Sequence, residues 1–163
     1  MIINTKRFQL KTLTTKYVTE RYLSWFKESQ EVNQYILFAQ KKPNIKDLIQ
    51  YIKDRENRKD ILFLAILSNS GLHIGNIKYE PINFKDESAT MGILIGDKEW
   101  RGRGVAPEVI KGSSEYLQEN YGIKNIELNV DQDNIPAITA YKKIKFKVVK
   151  KTNSGFKMVL NLA

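Results

Sequence analysis

Residues 61–67 read Ile-Leu-Phe-Leu-Ala-Ile-Leu, and the turn residues Ser68, Asn69, Ser70 and Gly71 follow at once. Seven apolar residues fall well short of the roughly 20 needed to span a bilayer. A run this short, unbroken and sharply ended predicts a strand buried on both faces, near the middle of a sheet. The remainder of the chain must then supply more strands and the helices that cover them.

Residues 7–12 alternate as a strand does, with Phe8 and Leu10 on one face and Arg7, Gln9 and Lys11 on the other. Over 15–27, Tyr17, Val18, Tyr22, Trp25 and Phe26 recur at helical spacing, and Val32, Tyr35, Ile36 and Phe38 predict a second short helix. Asn44, with Asp47 three residues on, caps a helix over 45–59 that buries Ile45, Leu48, Ile49 and Ile52. Further strands are expected over 73–82, 89–96 and 125–130. A helix over 105–121 turns Val109, Ile110, Tyr116 and Leu117 inward and stops at Gly122. Another helix covers 135–144, and a final hairpin turns at Asn153, Ser154 and Gly155. This order implies an α/β or α+β sheet with helices on its faces, in one domain over 1–163, without internal repeats.

The composition narrows the chemistry. With no cysteine the chain has neither disulfides nor thiolate catalysis, and with one histidine and no acidic cluster at ligand spacing no metal site is expected. The first ten residues carry no apolar signal core, which points to a cytoplasmic protein without a membrane partner. Lys and Arg outnumber Asp and Glu 27 to 18, for a formal charge of +9. A field of that sign favours anionic partners, although scattered lysines mostly serve as a solvated surface.

Residues 101–106, Arg-Gly-Arg-Gly-Val-Ala, open the 105–121 helix. They do not form a Walker loop, because Lys111, Gly112 and Ser113 stand in the wrong order and in mid-helix. A dinucleotide fingerprint fails as well, since Pro107 occupies the place of its third glycine. What remains is a physical expectation. Backbone N–H groups at a helix N-terminus lack helical partners and lie at the positive end of the dipole. Gly102 and Gly104 permit positive φ and close approach of a ligand. Arg101 and Arg103, both expected at the surface, add charge-assisted bonds to a pyrophosphate-sized anion.

The stretch Arg101-Gly102-Arg103-Gly104-Val105-Ala106 resembles Arg/Gln-x-x-Gly-x-Gly/Ala, the acyl-CoA loop of the GNAT superfamily of N-acyltransferases. Downstream, Asn134, Ala137 and Tyr141 match a second signature, Asn-x-x-Ala-(x)3-Tyr, with Phe146 closing it and Lys145 standing where the family usually has Gly. The resemblance covers nearly the whole chain. It implies a GNAT-like, mixed and largely antiparallel sheet, with a central parallel strand pair splayed for acetyl-CoA and helices on both faces. It also implies acetyl-CoA as co-substrate, a primary amine as acceptor, and no metal.

The resemblance assigns roles residue by residue. Ile93, Leu94 and Ile95 would pair their backbone with the pantetheine arm, while Arg101, Gly102, Arg103, Gly104, Val105 and Ala106 would hold the pyrophosphate. Asn134 and Ala137 would contact the cofactor, and Tyr141 would protonate the departing thiolate. The base is less defined. Some relatives carry Glu where this chain has Asn129, which can order a water but cannot take a proton; Glu127 shares its face. Glu80 and His73 are the other titratable candidates.

The front segment, Leu13 to Phe26 and then Glu31 to Ile36, resembles the ribosomal-protein-type branch, which includes bacterial amino-sugar acetyltransferases. Residues 73–78, His-Ile-Gly-Asn-Ile-Lys, are similar to the sugar-modifying members. A nucleotide-linked amino sugar for surface polysaccharide or glycan synthesis is therefore the expected acceptor, and its phosphates suit the positive charge. The alternatives are the Nα-amine of a ribosomal or other protein and a small amine. A homodimer is compatible with the sequence. A basic nucleic-acid-binding module is disfavoured, because no helix clusters Lys and Arg and no strand alternates basic with aromatic residues.

Overall fold

The computed structural model describes residues 1–27 and 43–162; the helix expected from Val32, Tyr35, Ile36 and Phe38 lies outside the described residues. Eight strands are ordered β1-β2-β3-β4-β5-β6-β8-β7 in one sheet. They are β1 (Ile2–Asn4), β2 (Phe8–Thr12), β3 (Leu62–Ser68), β4 (His73–Asn83), β5 (Ser88–Ile95), β6 (Asn125–Asp131), β7 (Lys147–Lys151) and β8 (Gly155–Asn161). Neighbours are antiparallel except β5 and β6. Among the described residues the α-helices are α1 (Glu20–Trp25), α2 (Ile45–Lys53), α3 (Val105–Tyr121) and α4 (Ile135–Lys143). No described helix is long and apolar enough to cross a membrane.

β3 behaves as its apolar run requires. Leu62, Leu64 and Ile66 face a core shared with Val109, Ile110 and Leu117 of α3, whereas Ala65 and Leu67 face Tyr22, Trp25, Leu48 and Ile52 of α1 and α2. The sheet is thus covered on both faces, with α1 and α2 on one and α3 and α4 on the other. Asn44 caps α2 as expected, in a reciprocal box in which Asn44 and Asp47 exchange side-chain-to-backbone bonds of 2.9 Å.

Five details differ from the sequence reading. The 15–27 segment is a short 3-10 turn (Thr15–Tyr17) and then α1, because Val18 and Thr19 are extended and Thr19 caps α1 by accepting from Tyr22 N. Helix α2 ends at Lys53 rather than 59, followed by turns that place Asn57 at φ 62°. Ile45 and Ile49 are only half-buried, since α2 points Leu48 and Ile52 at the core. The three-residue edge strand β1 is too short to show any periodicity, and Tyr116 is only half-buried at the margin of the core.

Two contacts fix α1 against the ends of β4 and β5. Arg21 donates to the His73 carbonyl (3.0 Å) and to Asp97 (2.6 Å). The Trp25 ring lies on Gly96, where a Cβ would stand 1.9 Å from it, so only glycine admits the ring.

Lys145 follows α4 at φ 81°, the left-handed conformation that its glycine counterpart in the family would adopt freely. Lys145→Gly should therefore stabilise the protein by about 1 kcal/mol, the strain relieved less the added entropy of the unfolded chain. Chemical denaturation should show a raised midpoint with an unchanged slope.

Candidate functional site

Strands β5 and β6 pair only at their starts, Ser88 with Asn125, Ala89 with Ile126 and Thr90 with Glu127. Beyond Thr90 they diverge. β5 stays bonded to β4 as far as Ile95, and β6 to β8 as far as Asp131. The gap opens into a cavity of about 550 Å³ that passes through the sheet. On the α3/α4 side its lining includes Met91, Ile93, Leu128, Val130, Asn134 and Tyr141. On the α1/α2 side it includes Tyr22, Phe26, Tyr51, Asn76, Lys78 and Leu94. Ile93, Leu94 and Ile95 all lie on the β5 edge that β6 has left, and alternate residues of such an edge present backbone donors and acceptors.

The 101–106 loop sits beyond the end of β5. Gly102 and Gly104 adopt φ of 71° and 75°; a Cβ on Gly102 would meet nothing within 4 Å, and one on Gly104 would meet the Arg7 guanidinium at 3.5 Å. Gly104 caps α3 without a side-chain bond, which leaves the first N–H groups of Val105 and Ala106 for another acceptor. A phosphate fits this arrangement, since the open approach at Gly102, donors unpaired among the described residues, the nearby Arg7 guanidinium and the dipole of a 17-residue helix coincide. Arg103 is exposed, with its guanidinium 4.6 Å from the Trp100 ring centre. Arg101 departs from the expected surface position: it is half-buried and donates to the carbonyls of Ile95 (3.0 Å) and Gly96 (3.1 Å). It ties the loop to the end of β5.

Helix α4 brings Asn134 and Tyr141 to the cavity. Asn134 caps it, accepting from Ala137 N at 3.4 Å, and its amide donors have no partner among the described residues. Ala137 is half-buried against the core. Tyr141 packs edge-on to Phe146, its hydroxyl has no hydrogen-bond partner among the described residues, and burial pushes its phenol up to about 12.

The candidate bases occupy unlike surroundings. Asn129 is exposed and lines the cavity. Glu127 stands at the foot of the gap, ion-paired with Lys157 at 3.3 Å. Glu80 lies outside the cavity lining, between Lys78 (3.0 Å) and Arg55 (3.1 Å). Burial alone would raise its carboxyl, but those two cations hold it below its ordinary value, so it binds a proton poorly. His73 is caged by the rings of Tyr17, Tyr22 and Trp25, and burial lowers its proton affinity despite a 2.7 Å bond to Asn76.

Residues 7–147 match the family of acetyltransferase (GNAT) domains. This chain belongs to that family. Over 98 residues it is 31% identical to an N-alpha-acetyltransferase of Saccharolobus solfataricus, covering 54% of this chain and 57% of that protein. Over 60 residues it is 38% identical to the L-amino acid N-acetyltransferase AaaT of Escherichia coli, covering 37% of this chain and 36% of AaaT. The matches thus span well under two thirds of either relative. The fold superposes on RimL, a ribosomal L7/L12 alpha-N-protein acetyltransferase in complex with coenzyme A, with a TM-score of 0.84 at 11% identity, over 99% of this chain and 98% of that one.

Within this GNAT domain several residues escaped the sequence reading. Arg7 binds Glu108 in the first turn of α3 at 2.7 Å and donates to the Arg103 carbonyl at 2.9 Å. Burial acts to raise the Glu108 carboxyl, but bonds from Arg7 and Thr5 hold it below its usual range. A depressed folded pKa stabilises above the unfolded value, so this anchor is intact at neutral pH and weakens as acid protonates Glu108. Asp131 and Lys78 also line the cavity. Alternation would have placed Asp131 on the face of Asn129, and Lys78 opposite Ile77; a 101-residue separation hid Arg7 and Glu108.

The two loop arginines should separate by stability. Arg101→Ala, which frees two carbonyls, should cost about 1–2 kcal/mol, whereas Arg103→Ala should stay within about 0.5 kcal/mol of the parent. Denaturant midpoints of the two variants check this.

Proposed function

We propose that this protein transfers the acetyl group of acetyl-CoA to a primary amine in the cytoplasm. The observation that carries the reading is the gap between β5 and β6, open to both faces of the sheet, with an anion cradle at one end and Tyr141 beside it. The 101–106 loop holds the pyrophosphate, and the free edge of β5 at Ile93, Leu94 and Ile95 accepts the amide-bearing arm as an added strand would. Asn134 donates to the same arm. The amine approaches from the α1/α2 side, and holding both reactants in one slot supplies much of the rate.

Tyr141 stays protonated across the physiological range and donates to the departing sulfur. A phenol near 12 is a weaker acid than a free thiol at about 8.5. The same dry surroundings raise the proton affinity of the thiolate, which narrows that difference. Asp131, the one carboxylate among the described residues of the lining, takes the proton of the amine directly or through water ordered by Asn129.

A nucleotide-linked amino sugar agrees with the front segment and the 73–78 stretch. The curated relatives favour a second reading, an α-amino group of a protein or an amino acid. A screen for CoA-thiol release with nucleotide amino sugars, small amines and peptide N-termini separates them. Thermal stabilisation by an oligonucleotide but not by acetyl-CoA would overturn both.

Arg103→Glu should weaken acetyl-CoA binding about tenfold or more by calorimetry, with the fold unchanged. Tyr141→Phe should lower kcat about 10–100-fold while acetyl-CoA affinity holds. Because burial raises the Tyr141 phenol, its ionisation should produce no fall in the rate of the parent protein between pH 7 and about 10, and stopped-flow pH profiles test that sign.

A further inference from the structure

The α1/α2 side of the cavity has a charge pattern that the transfer reaction itself does not require. In the register of the sheet Lys78 lies beside Gly92 on β5 and Phe63 on β3. A Cβ built on Gly92 would meet nothing within 4 Å, so the floor next to Lys78 is open. The Lys78 ammonium donates to the Tyr51 hydroxyl (2.5 Å) and to Glu80 (3.0 Å). Its third N–H has no partner among the described residues. Arg55 stacks 3.6 Å from the Tyr51 ring centre and pairs with the same Glu80 at 3.1 Å.

Among the described residues two cations therefore share one carboxylate, which leaves these three side chains with a net single positive charge. All three side chains are about four-fifths shielded from solvent, at 23%, 20% and 20% exposure, where charges act more strongly than at an open surface. Across the gap Glu127 is already matched by Lys157, and Asp131 stands at the far end of β6.

We infer that this wall is an anion-recognition subsite, in which Lys78, backed by Arg55, receives a carboxylate or phosphate carried by a small acceptor amine. The inference rests on the proposal that acetyl transfer occurs in the gap. One strand spacing, about 4.8 Å, separates Lys78 from β5, so an anion on Lys78 leaves an amine a few bonds away at the opening. Tyr51 and Phe63 give flat walls for the apolar part of such a molecule. A positive wall also disfavours the ammonium form of the acceptor, which promotes the neutral nucleophile. A polyamine would instead bring a second ammonium against a cation.

Matched acceptor pairs test this. They are L-phenylalanine against L-phenylalaninamide for a carboxylate, and glucosamine 1-phosphate against glucosamine for a phosphate, with spermidine as the cationic arm. The parent protein should favour the anionic member of at least one pair about tenfold in kcat/KM, and which pair responds identifies the anion. Lys78→Met should raise KM for that member about tenfold and erase the difference within the pair, and Lys78→Arg should restore it. Glu80→Gln, which releases Lys78 from its partner, should lower the same KM. Acetyl-CoA affinity and thermal midpoint report whether each variant is folded.

The subsite is overturned if neither anionic member is preferred, if spermidine is the best acceptor, or if a folded Lys78→Met loses both members of a pair equally. If the parent protein binds no acetyl-CoA, or releases CoA with no amine of this set or of the wider acceptor screen, the transfer reading itself fails and the subsite falls with it; CoA release only with acceptors outside these pairs overturns the subsite alone.

Discussion

The parting of β5 from β6 after three paired residues is the constraint on which the rest of the site depends. Each strand has a full antiparallel partner on its other side, β4 for β5 and β8 for β6. Antiparallel ladders are somewhat stronger per residue than parallel ones. Beyond Thr90 each strand keeps its antiparallel partner and leaves its parallel one. Gly155 locks one side of the split, because its approach to the Val130 carbonyl is too close for any Cβ. The cost is a stretch of β5 edge whose backbone groups need partners, and unmet groups away from water cost about 1–3 kcal/mol each. On the proposed reading an amide-bearing ligand would offset that cost when it binds, which would make the defect in the sheet its binding slot.

A slot of this kind requires its far end to be rigid. Several bonds hold the 101–104 turn in place, and two of the residues that make them, Arg7 and Arg21, are distant in sequence. Arg101 fastens it to the carbonyls of β5, and Arg7 reaches the Arg103 carbonyl while pairing with Glu108. Asp97 is fixed by Arg21 from α1. The loop is therefore set before any ligand arrives, which lowers the ordering cost of binding. It also explains why two arginines separated by one glycine differ in role. Arg101 is half-buried and donates to the carbonyls of Ile95 and Gly96; Arg103 is exposed over Trp100, donates to the Glu99 carbonyl at a longer 3.3 Å, and keeps more of its charge available.

What could be read from the sequence was what a single segment encodes. The β3 run, the Asn44 cap, the two αL glycines and the Asn134–Tyr141 spacing each lie within one element, and the structure has each where its local chemistry places it. Lys145 was legible as a departure because one position needs positive φ regardless of side chain. Longer-range pairings were not legible. Arg7 and Glu108 meet only because the β1–β2 turn abuts α3, and Lys78 reaches Tyr51 only because α2 lies over β4. Helix ends were misjudged for a related reason: Val18 and Thr19 carry enough local preference for extended backbone to break a pattern that apolar spacing alone would continue.

The excess of positive charge divides along the same lines. Strand β7 is an exposed sheet edge that carries Lys147, Lys150 and Lys151 around Val148 and Val149. Lysines there oppose pairing with another edge, which a bare valine strand would invite. Lys142 and Lys143 lie in the last turn of α4, where the helix dipole favours cations. Much of the +9 thus protects an edge or completes a helix and carries no information about substrate. Lys78 differs because it is on a central strand, where a lysine is costly to shield unless something answers its charge. Glu80 gives half of that answer and is shared with Arg55. The unshared remainder lines the cavity, so on the subsite inferred above the charge among the described residues that would select an acceptor is one residue deep in the sheet.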